Sequence, residues 1–231
     1  MMKEKVRRVL AGLLVPALAW VLMGCALAVY HAAPEALALL EEEGVWTEDN
    51  LTVLSAEGAD TALIFYPGAL VEPASYLPLL EGVRQMGVSC IIVEMPLGMA
   101  FLDLNAADEV MERFPEVEHW LLGGHSLGGA MASQYAARHA DRAEALILLG
   151  AYIYGDYPAE QALTVYGSLD RGLGTGLGYT ENAVILEGGN HAQFGNYGPQ
   201  LGDPEAEISA GEQQARTLEA IRSFLTGRDL L

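Results

Sequence analysis

The chain has 231 residues, 52% of them apolar and 19% charged, a composition that excludes an intrinsically disordered protein and supports a sizeable core. It holds 31 acidic and 12 basic residues, a net charge of −19, and such a surface repels phosphate, which argues against nucleic acid as a partner. Two cysteines, Cys25 and Cys90, are too few for a disulfide framework or a zinc site.

The first 30 residues form a distinct segment. The basic residues at its start are Lys3, Lys5, Arg7 and Arg8. Positions 9–30 then contain no charge, and a helix of this length spans about 33 Å, enough to cross the roughly 30 Å hydrocarbon core of a bilayer. The next basic residue is Arg84, so the positive-inside rule predicts a single-pass anchor with the rest of the chain outside the cytoplasm.

Two other fates of this segment remain open. Residues 22–25, Leu-Met-Gly-Cys, resemble the bacterial lipoprotein signal, in which the cysteine (here Cys25) becomes lipid-modified. Cleavage to a secreted form is the second alternative, although the apolar region of an ordinary signal peptide is shorter. Residues 26–30 stay apolar, as an anchor needs and a lipoprotein tether does not, so the uncleaved anchor is favoured.

Residues 31–48 are predicted to connect this segment, through a short helix at 34–43, to one domain over 49–231. In that domain short runs that are apolar on both faces alternate with helical patterns, which predicts a mostly parallel, doubly wound α/β sheet. The predicted parallel strands are 61–66, 89–94, 120–123, 145–149, 162–166 and 183–186. The predicted helices are 74–86, 104–113, 128–139 and 213–225. A strand at 51–54 is expected to add an antiparallel edge.

The most informative stretch is Gly-His-Ser-Leu-Gly-Gly at residues 124–129, between a predicted strand and a predicted helix. A Gly-x-Ser-x-Gly turn in this position exposes the hydroxyl of a serine, here Ser126, at the carboxyl edge of the sheet. Gly124 and Gly128 flank it because a Cβ atom there would clash with the neighbouring strand or helix. The helix start that follows favours negative charge. The pattern therefore predicts a nucleophilic serine.

With this turn, Val-Tyr-Gly-Ser-Leu-Asp at 165–170 and Gly-Asn-His at 189–191, the chain resembles the α/β-hydrolase superfamily over residues 50–226. It is most similar to the small lidless branch related to dienelactone hydrolases, although these carry a cysteine nucleophile where this sequence has serine. The resemblance implies the α/β-hydrolase fold and ordinary serine esterase chemistry.

The same resemblance implies a Ser-acid-His order, each group on a loop after a strand. Of the five histidines, His191 follows the last strand in a glycine-rich loop and is the predicted base. The other four are His31, His119, His125 and His139, and His125 is expected to point away from the site. Asp170, just after the penultimate strand, is the predicted acid, with Asp156 after the preceding strand as the alternative.

Two backbone N–H groups are expected to stabilise the oxyanion of the tetrahedral intermediate. One belongs to Leu127, directly after the serine, and by resemblance the other belongs to Ala69, after Pro67-Gly68 in the loop that follows the first parallel strand. No metal or cofactor is expected.

These features predict a membrane-tethered serine carboxylesterase that acts on small-molecule esters outside the cytoplasm. A short connection between the strand before Tyr154 and the strand from Ala162 leaves no room for a helical lid, so short acyl groups are the expected substrates. Phe194 and Tyr197 could supply an aromatic wall or simply pack in the loop. Thioester or amide hydrolysis, acyl transfer, and a non-catalytic binding module are the alternatives.

Overall fold

The computed structural model describes residues 29–173 and 177–231. The uncharged stretch before residue 29, together with Cys25, lies outside the described residues. Within the two described ranges, no helix is long and apolar enough to cross a membrane.

A single eight-stranded sheet forms the centre of the described part. Its strands are β1 (Val45–Glu48), β2 (Leu51–Leu54), β3 (Thr61–Tyr66), β4 (Ser89–Val93), β5 (His119–His125), β6 (Ala145–Leu149), β7 (Ala162–Gly167) and β8 (Ala183–Leu186). They lie in the order β1-β2-β4-β3-β5-β6-β7-β8. β2 pairs antiparallel with β1 and β4, and every other pairing is parallel. The fold class predicted from the sequence is confirmed.

Helices cover both faces of this sheet. They are α1 (Pro34–Ala38), α2 (Leu77–Arg84), α3 (Ala106–Arg113), α4 (Leu127–Arg138) and α5 (Ala210–Thr226). One apolar layer combines α1, α2 and α5 with one face of the sheet, and a second combines α3 and α4 with the other. The inner strands β3 and β6 are buried at every position, which explains their continuous apolar sequences.

Three sequence predictions are corrected by the structure. The sheet edge is β1 rather than the strand at 51–54, and β1 lies inside the predicted connecting segment, so the sheet begins before residue 49. The predicted helix over 74–86 starts as a 3-10 turn, Pro73–Tyr76, and becomes α-helical only at Leu77. Pro78 lacks a backbone donor, which suits the first turn of a helix but not its interior.

The carboxyl ends of the parallel strands meet at one edge of the sheet, where the loops after β3, β4, β5, β6, β7 and β8 lie together. Between β6 and β7 there is only a 3-10 turn, Ala159–Gln161, so no helical lid covers this edge from that connection. Cys90 is fully buried in β4, and its burial raises the pKa of the thiol far above the ordinary value.

Candidate active site

Ser126 stands between β5 and α4 in a strained backbone conformation. Its φ is 54° and its ψ −123°, a combination that non-glycine residues rarely adopt. The N–H of Ser126 donates to the carbonyl oxygen of Leu149 at 3.0 Å, which ties the turn to the end of β6. The serine thus sits at a sharp strand-to-helix turn, in the position that the glycine pattern predicts.

The two flanking glycines are required by close backbone contacts. A Cβ atom on Gly124 would lie 2.5 Å from the carbonyl oxygen of Tyr66, and one on Gly128 would overlap the carbonyl oxygens of Tyr66 and Pro67. Both contacts join the serine turn to the loop after β3, which the sequence predicts as the second half of the oxyanion site. Glycine at these positions therefore sets the distance between the two loops.

His191 and Asp170 form a direct pair on neighbouring loops. Nδ1 of His191 lies 2.6 Å from Oδ2 of Asp170, and the side chain of Asp170 is buried. The other carboxylate oxygen of Asp170 accepts from the N–H of Gly172 at 2.9 Å. The His191 ring packs on Gly150, where a Cβ atom would lie 3.0 Å from Nδ1. Leu149, which accepts from the N–H of Ser126, is the last residue of β6, and Gly150 follows it. The His191 ring and the serine turn therefore both contact the end of β6.

The competing candidates lie elsewhere. Asp156 is exposed in the loop after β6, and its carboxylate makes no ion pair within the described residues. His119 pairs with Glu144, His31 lies beside Glu72, and Nδ1 of His139 contacts a carbonyl of its own helix. The structure thus brings Ser126, Asp170 and His191 to one edge, and it leaves the alternative acid apart.

The ring of His125 lies beneath the site, where it supports the loop that carries His191, a role that the sequence did not predict. Its ring is fully buried, with its centroid 4.7 Å from that of His191. Nε2 lies 3.0 Å from the carbonyl oxygen of His191, and Nδ1 lies 2.8 Å from the hydroxyl of Tyr76. Burial, with a smaller contribution from His191, holds the pKa of His125 well below its ordinary value, so the ring is neutral.

This arrangement fixes the direction of each hydrogen bond. A carbonyl oxygen only accepts, so the proton of His125 is on Nε2, and Nδ1 accepts from the hydroxyl of Tyr76. The hydroxyl in turn accepts from the N–H of Gly68 at 3.0 Å. A buried chain of donors therefore runs from the loop after β3 to the backbone of His191. Tyr76 was not identified from the sequence, where its 3-10 turn carries no catalytic pattern.

The loop that carries His191 is held by further polar contacts that sequence reasoning missed. Asp203 accepts from the N–H groups of His191 (Oδ1, 3.1 Å) and Ala192 (Oδ2, 2.8 Å). The side-chain amide of Gln213, on α5, bonds both the N–H and the carbonyl of Asn190. Of these residues only Asn190 belongs to a recognisable motif, so the other two could be found only from the structure.

The two proposed oxyanion donors lie on the facing loops. Leu127 is the first residue of α4, and the N–H groups of a first helical turn have no intrahelical acceptor. In the part of the chain that the structure describes, no backbone carbonyl accepts from the N–H of Ala69. The loop around it is fixed by two bonds, Leu70 N–H to Gly98 O at 2.9 Å and Val71 N–H to Gly68 O at 3.1 Å.

Phe194 and Tyr197 do not form an accessible wall. Phe194 is fully buried with its ring 5.8 Å from that of His125, and Tyr197 is buried against Tyr30 at a centroid distance of 5.5 Å. They are packing residues beneath the loop.

Solved structures with the same fold include several hydrolases. They include MGS-MChE2, an alpha/beta hydrolase enzyme from a sediment metagenome of the Mar Chica lagoon in Morocco (TM-score 0.58, 14% identity, 80% of this chain and 99% of that chain covered). Another is a ferulic acid esterase from Streptomyces cinnamoneus (TM-score 0.54, 19% identity, 73% of this chain and 67% of that chain covered). A third is a dienelactone hydrolase from Anabaena variabilis (TM-score 0.55, 13% identity, 77% of this chain and 90% of that chain covered). At these identities the likeness is one of fold.

A comparison with curated protein sequences gave no match. The model of the alpha/beta hydrolase family matches residues 62–215, which is well over half of the chain and contains all but the first residue of β3, the serine turn, Asp170 and His191. The superfamily resemblance drawn from the sequence motifs is thereby confirmed, and the chain belongs to the alpha/beta hydrolase family.

Proposed function

We propose that this hydrolase is a serine carboxylesterase in which Ser126 is the nucleophile, His191 the base and Asp170 the acid. The observation that carries the proposal is the strained backbone of Ser126 at the start of α4, at the sheet edge that also carries a histidine ring whose Nδ1 is bonded to a buried carboxylate. A strained nucleophile position and an oriented histidine are the two elements that acyl transfer by serine requires.

The pairing determines the direction of proton transfer. Because Nδ1 of His191 donates to Asp170, Nε2 is free to accept the proton of Ser126 as its oxygen attacks the ester carbonyl. The N–H groups of Leu127 and Ala69 would receive the oxyanion, and His191 would then protonate the departing alcohol. Water, deprotonated by the same Nε2, hydrolyses the acyl-enzyme and releases the carboxylic acid.

A fluorophosphonate probe tests the nucleophile. It should label Ser126 covalently, and Ser126→Ala should abolish labelling and lower kcat by roughly 10⁴-fold or more. The matched control is Ser223→Ala, which replaces an exposed serine on α5 and should leave both the labelling and kcat unchanged. Full labelling of the Ser126→Ala variant would assign the nucleophile to another residue.

We also propose that the domain is tethered outside the cytoplasm by residues 9–30. The support is the uncharged length of this stretch and the four basic residues before it. Membrane fractionation, with protease added from the outer face, tests it: the domain should sediment with membranes and be digested. Mass spectrometry of the N-terminus then separates an intact anchor from lipidation at Cys25, and recovery in the cytosol would refute the tether.

A further inference from the structure

The chain enters the fold at the edge that carries the candidate active site. The N–H of Tyr30 donates to the carbonyl of Leu70 at 2.8 Å, and its carbonyl accepts from the N–H of Glu72 at 2.9 Å. Leu70 directly follows Ala69, the proposed oxyanion donor. Val29 and Gly68 line one cavity of about 360 Å³. The uncharged stretch therefore ends, at Tyr30, directly beside the loop after β3 that carries Ala69, without intervening residues.

Exposed apolar side chains concentrate at the same edge. Ten large hydrophobic side chains are exposed within the described residues, and six of them lie in loops after β4, β6 and β8: Leu97, Phe101, Leu102, Tyr152, Tyr154 and Leu201. We call the four leucine and phenylalanine residues of this set the apolar rim. Their exposed fractions are 77% for Leu97, 56% for Phe101, 49% for Leu102 and 94% for Leu201.

The apolar rim flanks the point of chain entry on two sides. On one side, the N–H of Leu70 donates to the carbonyl of Gly98, the residue after Leu97, and the 3-10 turn Ala100–Leu102 packs against α4. On the other side, the N–H of Leu201 donates to the hydroxyl of Tyr30 at 3.2 Å. An apolar surface that surrounds the end of an apolar segment, at the mouth of a candidate active site, is suited to contact with lipid.

Charge indicates which lipid surface fits. Beyond residue 30 the chain has 8 arginines and 30 acidic residues, so anionic headgroups repel it and the contact must come from apolar burial. A tether that ends at Tyr30 holds the rim within a few residues of the bilayer. The high effective concentration then populates a contact that would be weak for a free domain.

We propose that the apolar rim lies in the headgroup region of the bilayer and that the active site opens toward it. The substrates are then esters held in the membrane, amphiphiles whose apolar alcohol stays in the lipid while a small acyl group is transferred to Ser126. The C–O bond of the ester breaks, His191 returns the proton to the alcohol, and water later releases the acid. This inference rests on the proposed function and adds the orientation of the site and the class of substrate.

Quenching by brominated lipid tests the orientation. The full chain is reconstituted in phosphatidylcholine vesicles as Phe101→Trp or as the matched control Ile185→Trp, a position on β8 with the same exposed fraction of 56%. Brominated phosphatidylcholine should quench at least half of the emission that Phe101→Trp adds to the parent, and little of the emission that Ile185→Trp adds. Equal quenching at the two positions, or none at 101, would overturn the proposal.

Hydrolysis of two butyrate esters tests the substrate class. One is a long-chain alkyl butyrate dissolved in the vesicles, and the other is ethyl butyrate in solution. The double variant Phe101→Ser/Leu201→Ser should hydrolyse the vesicle ester at least tenfold more slowly than the parent and ethyl butyrate at a rate within twofold of it. Ile185→Ser should leave both rates unchanged.

Equal loss on the two esters would mean that the rim is a wall of the substrate site, which contradicts bilayer contact. Failure of the proposed function has a different signature. In that case the parent hydrolyses neither ester and Ser126 takes no fluorophosphonate, while the quenching result still reports where the rim lies.

Discussion

The hydroxyl of Tyr76 and Nδ1 of His125 lie 2.8 Å apart in the fully buried layer beneath the site. Through this bond the N–H of Gly68, in the loop after β3 that carries Ala69, is connected to the backbone carbonyl of His191. Each of these hydrogen bonds has only one possible direction, so the network has a single arrangement. The loop after β3 and the loop that carries His191, which the proposed mechanism brings together on an ester carbonyl, are therefore linked from below by hydrogen bonds.

Tyr76→Phe tests the importance of this link. It keeps the ring, which packs 4.9 Å from Phe65, but leaves the Gly68 N–H and His125 Nδ1 without partners. We expect a loss of about 1–3 kcal/mol in unfolding free energy. We also expect a fall of roughly 10- to 100-fold in kcat with little change in KM, because catalytic groups are displaced while binding surfaces remain. Denaturant titration and steady-state kinetics measure the two effects.

Tyr157→Phe is the matched control for that variant. Tyr157 is also buried and its hydroxyl donates to the carbonyl of Ala143 at 3.4 Å, on the far side of the sheet's core. It should lose stability but not kcat. Identical kinetic losses in the two variants would show that Tyr76 acts through general stability alone.

The buried neutral ring of His125 predicts a pH dependence of stability. In the unfolded chain this histidine takes up a proton near pH 6.5, whereas its lowered pKa keeps the folded form neutral. The unfolded state therefore binds more protons as the pH falls below 6.5, and the free energy of unfolding decreases by up to about 1.4 kcal/mol per pH unit. His125→Gln removes this contribution.

The measurement is denaturant unfolding of the parent and His125→Gln at pH 7 and pH 5. The decrease between the two pH values should be smaller in the variant by about 2 kcal/mol, although the variant is less stable at pH 7. Equal decreases would mean that His125 accepts a proton in the folded protein.

The sequence predicts the strands of this fold well and its supporting contacts poorly. Parallel strands such as β3 and β6 are buried on both faces, so each leaves a continuous apolar run that can be read directly. Strand β1 was missed because only Val45 is partly buried in it and its other residues are exposed. An edge strand of this kind has no distinctive pattern.

The same contrast holds at the site. Ser126, Asp170 and His191 each follow a strand and lie in the motifs that carry the family resemblance, so they could be proposed from the sequence, and their roles stay predictions. Tyr76 and His125 are 49 residues apart in sequence, and their contact depends on how a 3-10 turn packs under β5. Asp203 likewise reaches His191 from an irregular loop, where no spacing rule applies.

Replacing Asp170 and Asp156 by asparagine, one at a time, tests which of the two is the acid of the proposed triad. Asp170→Asn should lower kcat by about 10³- to 10⁴-fold at neutral pH, because His191 loses the partner that fixes its tautomer and stabilises its charged form. Asp156→Asn should change kcat less than twofold, since this side chain is exposed and away from the histidine. Circular dichroism should show both variants folded. A large loss with Asp156→Asn and a small one with Asp170→Asn would reverse the assignment.

Acyl-chain length tests the absence of a lid. The connection from β6 to β7 contains only a 3-10 turn, so no helix from it covers an acyl chain at the carboxyl edge. Phe194 and Tyr197 are buried beneath the loop and offer no wall to it either. Each methylene that stays in water forgoes about 0.8 kcal/mol of transfer free energy, so affinity should stop rising after a few carbons.

For soluble p-nitrophenyl esters, measured without vesicles and below their aggregation threshold, kcat/KM should therefore peak between acetyl and hexanoyl. Tyr152 and Tyr154, exposed after β6, are the side chains nearest in sequence to where a lid would start, and their replacement by serine should leave the position of the peak unchanged. A peak at dodecanoyl or longer would require a buried acyl site. Such a site could not come from a helix in the β6–β7 connection and would have to be formed by other loops.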